Sequence, residues 1–410
     1  MRAGGLSTSS GVPAETGSAA AEPLTVAVAA TIPTPFPDTN IPPFVPAAVD
    51  IFDLDWTAIR KATDSDLVRS RMPGIISRMQ ATFEDPTRPA MLFDRDRTCP
   101  QDKAIRVSEV EGDQPLWFVG DLHGDLLALE AALALIRQHT AYGAANSQIV
   151  FLGDLFDDEG FGLEVVLRTF ELILDNPGFI CVIAGNHDEA LQHDGTKFTS
   201  SVTPSDFSEF LNFNRSDERI TIVGKLAIAL FESAPRSLFF PDGLLVAHGG
   251  FPLIDLHSRL QETVDWNDPQ CLSDFVWTRA HPTARKKLPN RFSRGGQFGY
   301  EDFAAFCSFA SSLGRTVTHM VRGHDHVEDR YAVYPAYCEH PVLTTVALSR
   351  RLPREFLGSY ERVPTVALYI KDAVPQVFRL HLPACFIREV YPEAGAYSDQ
   401  ENGRAEETDP

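Results

Sequence analysis

An α/β fold is what this sequence predicts, and two features predict it. Short apolar runs of strand length alternate with segments of helical periodicity, and five of the runs end in turns that join glycine to aspartate, asparagine or histidine. Pro115 to Val119 reads as the first strand. The segment Asp125 to Gln138 follows as a helix, with Leu126, Leu129, Leu133 and Ile136 on one stripe. Gln148 to Leu152 and Phe179 to Ala184 are further strands, and Leu163, Val166, Leu167, Phe170 and Leu174 between them keep helical spacing. Leu244 to Ala247 and Val317 to Val321 complete a set of five buried strands. Val342 to Leu348, Pro364 to Ile370 and Gln376 to Leu382 read as a meander that supplies a second sheet.

Around this body the composition shifts. Residues 1 to 48 are rich in Ala, Ser, Thr, Pro and Gly without periodicity and read as a disordered tail. Residues 49 to 112 read as a partly helical extension, 113 to 382 as the main domain, and 383 to 410 as an acidic tail. The chain is 44% apolar and 22% charged, enough for a sizeable core. A formal net charge of -20 over 410 residues argues against nucleic acid and anionic membrane as partners, since either needs a basic stripe. The six cysteines show no CxxC pair and read as reduced core residues. Neither a secretion signal nor a membrane span of roughly 20 apolar residues is evident, so a cytoplasmic location is expected.

Each of the five strands runs into a cluster of metal-binding side chains. The clusters are Gly120-Asp121-Leu122-His123-Gly124, Gly153-Asp154-Leu155-Phe156-Asp157, Gly185-Asn186-His187-Asp188, His248-Gly249-Gly250 and Arg322-Gly323-His324. In open α/β sheets, ligand sites lie beyond the carboxyl ends of the strands, so these turns are expected to converge. Two aspartates, one asparagine and three histidines offer oxygen and nitrogen but no thiolate, which suits Mn, Fe, Zn or Ni. Six donors are too many for one catalytic ion with open positions. They suit two divalent ions about 3.5–4 Å apart that share a carboxylate and a bridging water.

With these blocks in this order, the sequence resembles the metal-dependent phosphoprotein phosphatases of the calcineurin-like superfamily, as a divergent bacterial-type member. The resemblance spans about Trp117 to Leu382. It implies a β-sandwich with flanking helices in αββα layers. It also implies that Asp121 and His123 bind a first metal ion, that Asp154 bridges two ions, and that Asn186, His248 and His324 bind the second. His187 matches the family's general acid and Asp157 the carboxylate that orients it, so the implied reaction is attack on a phosphate monoester by a hydroxide shared between the ions.

The pattern departs from the family after Asp157. An arginine that grips phosphate normally follows, but this chain has Asp158-Glu159-Gly160. A carboxylate aimed at phosphate repels it, so Asp158 either turns away or serves another role. Arg294 lies where the family carries a second phosphate-binding arginine, with Arg291 as an alternative, and Arg279 stands where an acidic residue is common and would restore the lost charge. The family's aromatic contact in the last loop is absent, because Thr345-Val346-Ala347-Leu348-Ser349 leads into Arg350 and Arg351.

His139, His193, His257, His281, His319, His326, His340 and His381 belong to no motif and read as solvated or core-satisfied. The stretch Phe52-Asp53-Leu54-Asp55-Trp56-Thr57 resembles the Asp-x-Asp-x-Thr of haloacid-dehalogenase phosphatases, but the free chain around it is too short for that fold. The leading function is a phosphatase acting on phosphoserine, phosphothreonine or phosphotyrosine in proteins. Alternatives are a nucleotide or dinucleoside polyphosphate hydrolase on the same site, and a weakly active scaffold that binds protein partners. Oligomeric state is not legible.

Overall fold

The computed structural model describes residues 45–85, 91–108, 114–139, 147–158, 160–253, 264–290, 294–355 and 358–393. Its main strands, in chain order, are β1 (Ala47–Asp50), β2 (Ala104–Arg106), β3 (Leu116–Val119), β4 (Gln148–Phe151), β5 (Ile180–Val182), β6 (Ser237–Phe239), β7 (Leu244–Ala247), β8 (His319–Arg322), β9 (Tyr331–Val333), β10 (Val342–Thr345), β11 (Thr365–Tyr369) and β12 (Gln376–His381). They form two six-stranded sheets, ordered β1-β12-β11-β3-β4-β5 and β9-β10-β8-β7-β6-β2. Strands β3, β4 and β5 are parallel in the first sheet, as are β7, β8 and β10 in the second.

Side-chain alternation along β3 shows how the layers stack, because successive residues of a strand face opposite sides. Trp117 and Val119 point toward helices α3 (Leu126–His139) and α4 (Gly162–Asp175), in one apolar cluster with them. Leu116 and Phe118 point the other way and meet Leu244, Val246, Val321 and Leu343 of the second sheet. Leu245, Ala247 and Met320, on that sheet's far side, pack with residues of α5 (Pro269–Trp277) and α6 (Tyr300–Ser312). The result is helix, sheet, sheet, helix. Burial on both faces explains why the central strands are continuous apolar runs rather than alternating ones.

The five strands identified from sequence divide between the sheets, three in the first and two in the second. The expected meander does not supply a separate sheet. Strand β10 pairs parallel with β8, whereas β11 and β12 form a hairpin beside β3. An apolar run buried on both faces carries no mark of the sheet it joins, so this partition was not readable.

The segment read as an extension is built into the body. Strand β1 edges the first sheet against β12, and β2 edges the second against β6. Helix α2 (Ser65–Glu84) buries Val68, Met72, Ile75, Ile76 and Met79 in the same cluster as α3 and α4, with Arg71 2.8 Å from Glu171. Asp55, of the dehalogenase-like stretch, caps α1 (Trp56–Thr63) by accepting from the Ala58 amide at 2.9 Å. Residues 1–44 of the expected tail lie outside the described residues, as do Arg291, His257 and the end of the chain.

The expected acidic tail needs correction over its first part. Ala384–Val390 form helix α7, and Tyr391 behind it is buried, its hydroxyl donating to the Asp125 carboxylate at 3.1 Å. Apolar Ile387, Val390 and Tyr391 outweighed the polar average of the segment. Cys181, Cys271 and Cys307 are buried thiols, whereas Cys99, Cys338 and Cys385 are exposed, which corrects the reading of all six as core residues. No helix among the described residues is long and apolar enough to cross a membrane.

If α7 is docked through this bond, Tyr391→Phe leaves a buried carboxylate with one donor fewer. The expected loss is about 1–2 kcal/mol of unfolding free energy, seen as a lower urea midpoint at unchanged m-value. An unmoved midpoint would place the stability of this corner elsewhere.

Candidate metal centre

All five turns meet at one end of the sandwich, where the carboxyl ends of strands from both sheets face each other. The loops after β3 and β4 are stitched by backbone bonds from Leu122 and His123 to the Asp154 carbonyl at 3.1 and 2.9 Å. The loop after β8 is tied to the loop after β7 by Gly323 N to His248 O at 3.1 Å. Glycine is required at two of these points. A Cβ on Gly185 would strike the Asp154 carboxylate, and one on Gly323 would strike that of Asp121. His123, Asp154, Asp157, Asp158 and His324 all take left-handed backbone conformations (φ 43°, 52°, 75°, 69° and 68°). Such conformations are costly for non-glycine residues, and their concentration in these turns marks a site where geometry overrides local preference.

The structure brings the six sequence-predicted donors together, all of them buried. Asp154 Oδ2 lies 3.3 Å from His248 Nε2 and 3.5 Å from His123 Nε2. His248 Nε2 is 3.2 Å from Asn186 Oδ1 and 3.1 Å from His324 Nδ1. Its other nitrogen donates to the Leu152 carbonyl at 2.7 Å, which fixes the tautomer with Nε2 facing the cluster. Asp121 accepts from the His324 amide at 3.0 Å.

One donor missed from sequence sits among them. His326 Nε2 is 2.9 Å from Asp121 Oδ2, and its ring meets His123 edge-on at 4.8 Å between centroids. The reading of His326 as a solvated or core residue is therefore corrected. His324-Asp325-His326 carried the signal, since two histidines one residue apart on a turn can serve one site.

His187 Nδ1 is 2.7 Å from Asp157 Oδ2, and Asp157 Oδ1 accepts from the Phe207 amide at 2.9 Å. This pair orients the ring and leaves Nε2 for the cleft that His187 lines. Burial works against the imidazolium, but the carboxylates of Asp154 and Asp157 outweigh it and hold His187 above its ordinary value. Asp188 braces the centre from behind, accepting from the amides of Asp154, Gly185 and Leu155 at 2.7, 2.9 and 3.2 Å. Burial, with the Asp154 charge, pushes Asp188 up to about 7.

Asp158 does not turn away. Its buried carboxylate stands 3.1 Å from His123 Nδ1, out of line for a straight hydrogen bond, and 3.0 Å from Arg354 Nη2. Burial opposes its ionisation, yet His123 and then Arg354 hold it well below the usual carboxylate range. Arg354 and Glu355, neither flagged by any sequence motif, line a cleft of about 280 Å³ with Asp154, Asn186, His187, Arg279, His324 and His326. Of the two arginines proposed from sequence, Arg279 faces this cleft and donates to the His324 carbonyl and Asp325 at 2.8 and 2.9 Å. Arg294 is not among the lining residues. Its guanidinium stacks over Trp277 at 5.3 Å.

The donor set fits divalent cations. His324 turns Nδ1 toward His248 Nε2 in the cluster, its buried Nε2 has no hydrogen-bond partner among the described residues, and burial together with Arg279 and His248 holds this ring well below its ordinary value. Asp121 and Asp154 are held below the ordinary carboxylate value although burial opposes it, chiefly by the neighbouring His248. His248 is correspondingly pushed up to about 9 against its burial. Asp121, His123 and His326 form one compact donor group, and Asp154, His248 and His324 another.

A two-sheet sandwich with such a cluster at its carboxyl edge defines the class of metallophosphoesterase hydrolases. The chain belongs to the calcineurin-like phosphoesterase family, whose description it matches over residues 114–328, just over half its length. It is 26% identical to the serine/threonine-protein phosphatase C23G10.1 of Caenorhabditis elegans over 254 residues, 58% of this chain and 48% of that protein. It is 22% identical to the serine/threonine-protein phosphatase 6 catalytic subunit of the same organism over 232 residues, 56% of this chain and 63% of that one. The chain thus spans less than two thirds of either relative. A solved serine/threonine phosphatase from Saccharomyces cerevisiae with similarity to human phosphatase PP5 shares the fold at TM-score 0.50 and 17% identity, covering 78% of this chain and 90% of that one.

The brace behind the centre can be tested without any ligand. Asp188→Asn presents an amide NH₂ to at least one backbone N–H that now has an acceptor, and should lower stability by about 1–3 kcal/mol in urea titration. A midpoint equal to the parent's would mean that the three amides find other acceptors.

Proposed function

We propose that the chain is a binuclear metal-dependent phosphatase that hydrolyses phosphate monoesters on proteins. The observation that carries this reading is the pair of donor groups joined through Asp154. In it Asp121, His123, Asp154 and His326 would hold one ion, and Asp154, Asn186, His248 and His324 the other. Two divalent ions in these positions would supply an activated water and polarise the phosphoryl oxygens.

The chain's own residues do the rest. Asp157 fixes the His187 ring through Nδ1, and His187 Nε2 gives a proton to the leaving oxygen of the ester. Arg279 presents positive charge along the cleft wall. Buried donors around Asp188 keep the Asp154 backbone in its strained turn, so the bridging carboxylate needs no rearrangement on binding. Serine or threonine phosphate in a protein is the substrate class we favour, because both curated relatives are named serine/threonine-protein phosphatases. Manganese is a natural first ion to test with this mixed oxygen and nitrogen set.

Removal of metal by a chelator should abolish turnover, with recovery on adding Mn²⁺. Asp154→Asn or His248→Ala should lower metal content, and turnover with it; undiminished turnover in a variant that holds one ion fewer would exclude the binuclear mechanism. His187→Ala should reduce the rate on a phosphoserine peptide by roughly 10²–10⁴-fold and much less on an aryl phosphate, whose phenolate leaves without help. Equal losses on the two substrates would assign His187 a positioning role.

A further inference from the structure

Position 158 holds a buried acid where the family resemblance leads one to look for a cation, and a cation arrives there from another part of the chain. Arg354 Nη2 is 3.0 Å from Asp158 Oδ2, 3.4 Å from His123 Nε2 and 3.5 Å from His326 Nδ1. The Asp158 side chain is fully enclosed, whereas that of Arg354 is 38% exposed and lines the cleft. A guanidinium has five N–H donors in a planar fork, and among the described residues Nε and Nη1 of Arg354 have no partner. Those donors are left for a ligand in the cleft.

The segment that carries Arg354 is clamped on both sides. Arg350 donates to the carbonyls of His123 and Asp158 at 2.9 and 2.8 Å, which ties it to the turns after β3 and β4. Glu355 accepts from Arg330 at 3.1 Å and from the Leu352 amide at 3.1 Å, and Arg330, itself fully buried, also donates to the Arg350 carbonyl at 2.7 Å. A long side chain loses much rotamer entropy when it grips a ligand, and prior fixing of its backbone and tip reduces that loss.

We propose that Arg354 grips the non-bridging oxygens of the substrate phosphoryl group, and that Asp158 is the positioning residue that holds its guanidinium over the metal-centre histidines. Asp158 then does not repel the phosphate, because its charge is met by the Arg354 guanidinium 3.0 Å away. The cation that the resemblance places after Asp157 is supplied instead by the segment after β10. This inference rests on the metallophosphoesterase reading and names a phosphate contact within it.

The test uses the full chain loaded with Mn²⁺, with inorganic phosphate as the probe in calorimetric titration and metal content measured on every sample. Arg354→Ala, at a part-exposed position, should weaken phosphate binding roughly 10- to 150-fold at unchanged metal content, the worth of a charge-assisted hydrogen bond. Arg354→Lys should lose less, since lysine keeps the charge without the fork. Asp158→Asn should weaken phosphate binding in the parent and add little in the Arg354→Ala background, because the two side chains act as one unit. KM for an aryl phosphate should follow the phosphate affinity more closely than kcat does. Phosphate affinity within about twofold of the parent in Arg354→Ala, at equal metal content, overturns the proposal and leaves the phosphoesterase reading standing. Loss of metal in that variant also overturns it, by assigning Arg354 to the metal centre. A parent protein that holds no metal and turns over no phosphoester removes both readings together.

Discussion

Asp154 is bound through its carbonyl, its amide and its carboxylate, which together join the turns after β3, β5 and β7. The carbonyl receives the amides of Leu122 and His123, the amide donates to Asp188, and the carboxylate stands between His123 and His248 while accepting from the His187 amide at 2.9 Å. These bonds hold a left-handed aspartate at the end of β4, where the two sheets come within reach of each other. A side chain on Gly185 would collide with that carboxylate, so the turn after β5 is shaped around the same residue. The separation of the loops, the direction of the histidines and the position of the acid pair all follow from how this one residue is pinned.

Much of this was legible because the chemistry is carried by short turns. Gly-Asp, Gly-Asn-His and His-Gly-Gly announce themselves at the end of apolar runs, and the convergence of strand ends is a property of the layered fold. His326 was overlooked although it follows His324 by two residues, since a single histidine in a loop carries no periodic signal. Arg354 was less accessible still. It reaches the cleft because Arg350 and Glu355 anchor its segment to loops some 200 residues earlier and 25 residues earlier in the chain, and pairings of that kind leave no local pattern.

The same limit explains the misread ends. Local composition labelled residues 1 to 48 and 383 to 410 as tails, but Ala47 and Ala48 lie in β1, which pairs with β12 over only four residues. Tyr391 shows how little sequence a tertiary contact requires. One phenol reaches Asp125, whose other oxygen accepts from both the amide and the hydroxyl of Ser349 at 2.8 and 2.7 Å. A C-terminal helix, the first metal turn and the segment leading to Arg350 are thereby joined at a buried carboxylate.

The pairing of β3 with β11 sets the order in which the protein can be assembled during synthesis. Strands β3, β4 and β5 emerge early and are mutually parallel, but the free edge of β3 is covered only by β11. Until residues near 369 have left the ribosome, the nascent chain therefore displays an unpaired, wholly apolar strand edge, Leu116 to Val119. Contacts this distant in sequence form slowly, and exposed edges of this kind are where nascent chains associate with each other or with chaperones. A ribosome that stalls before β11 would release a chain that already contains most of the metal-binding residues yet carries an open template for aggregation.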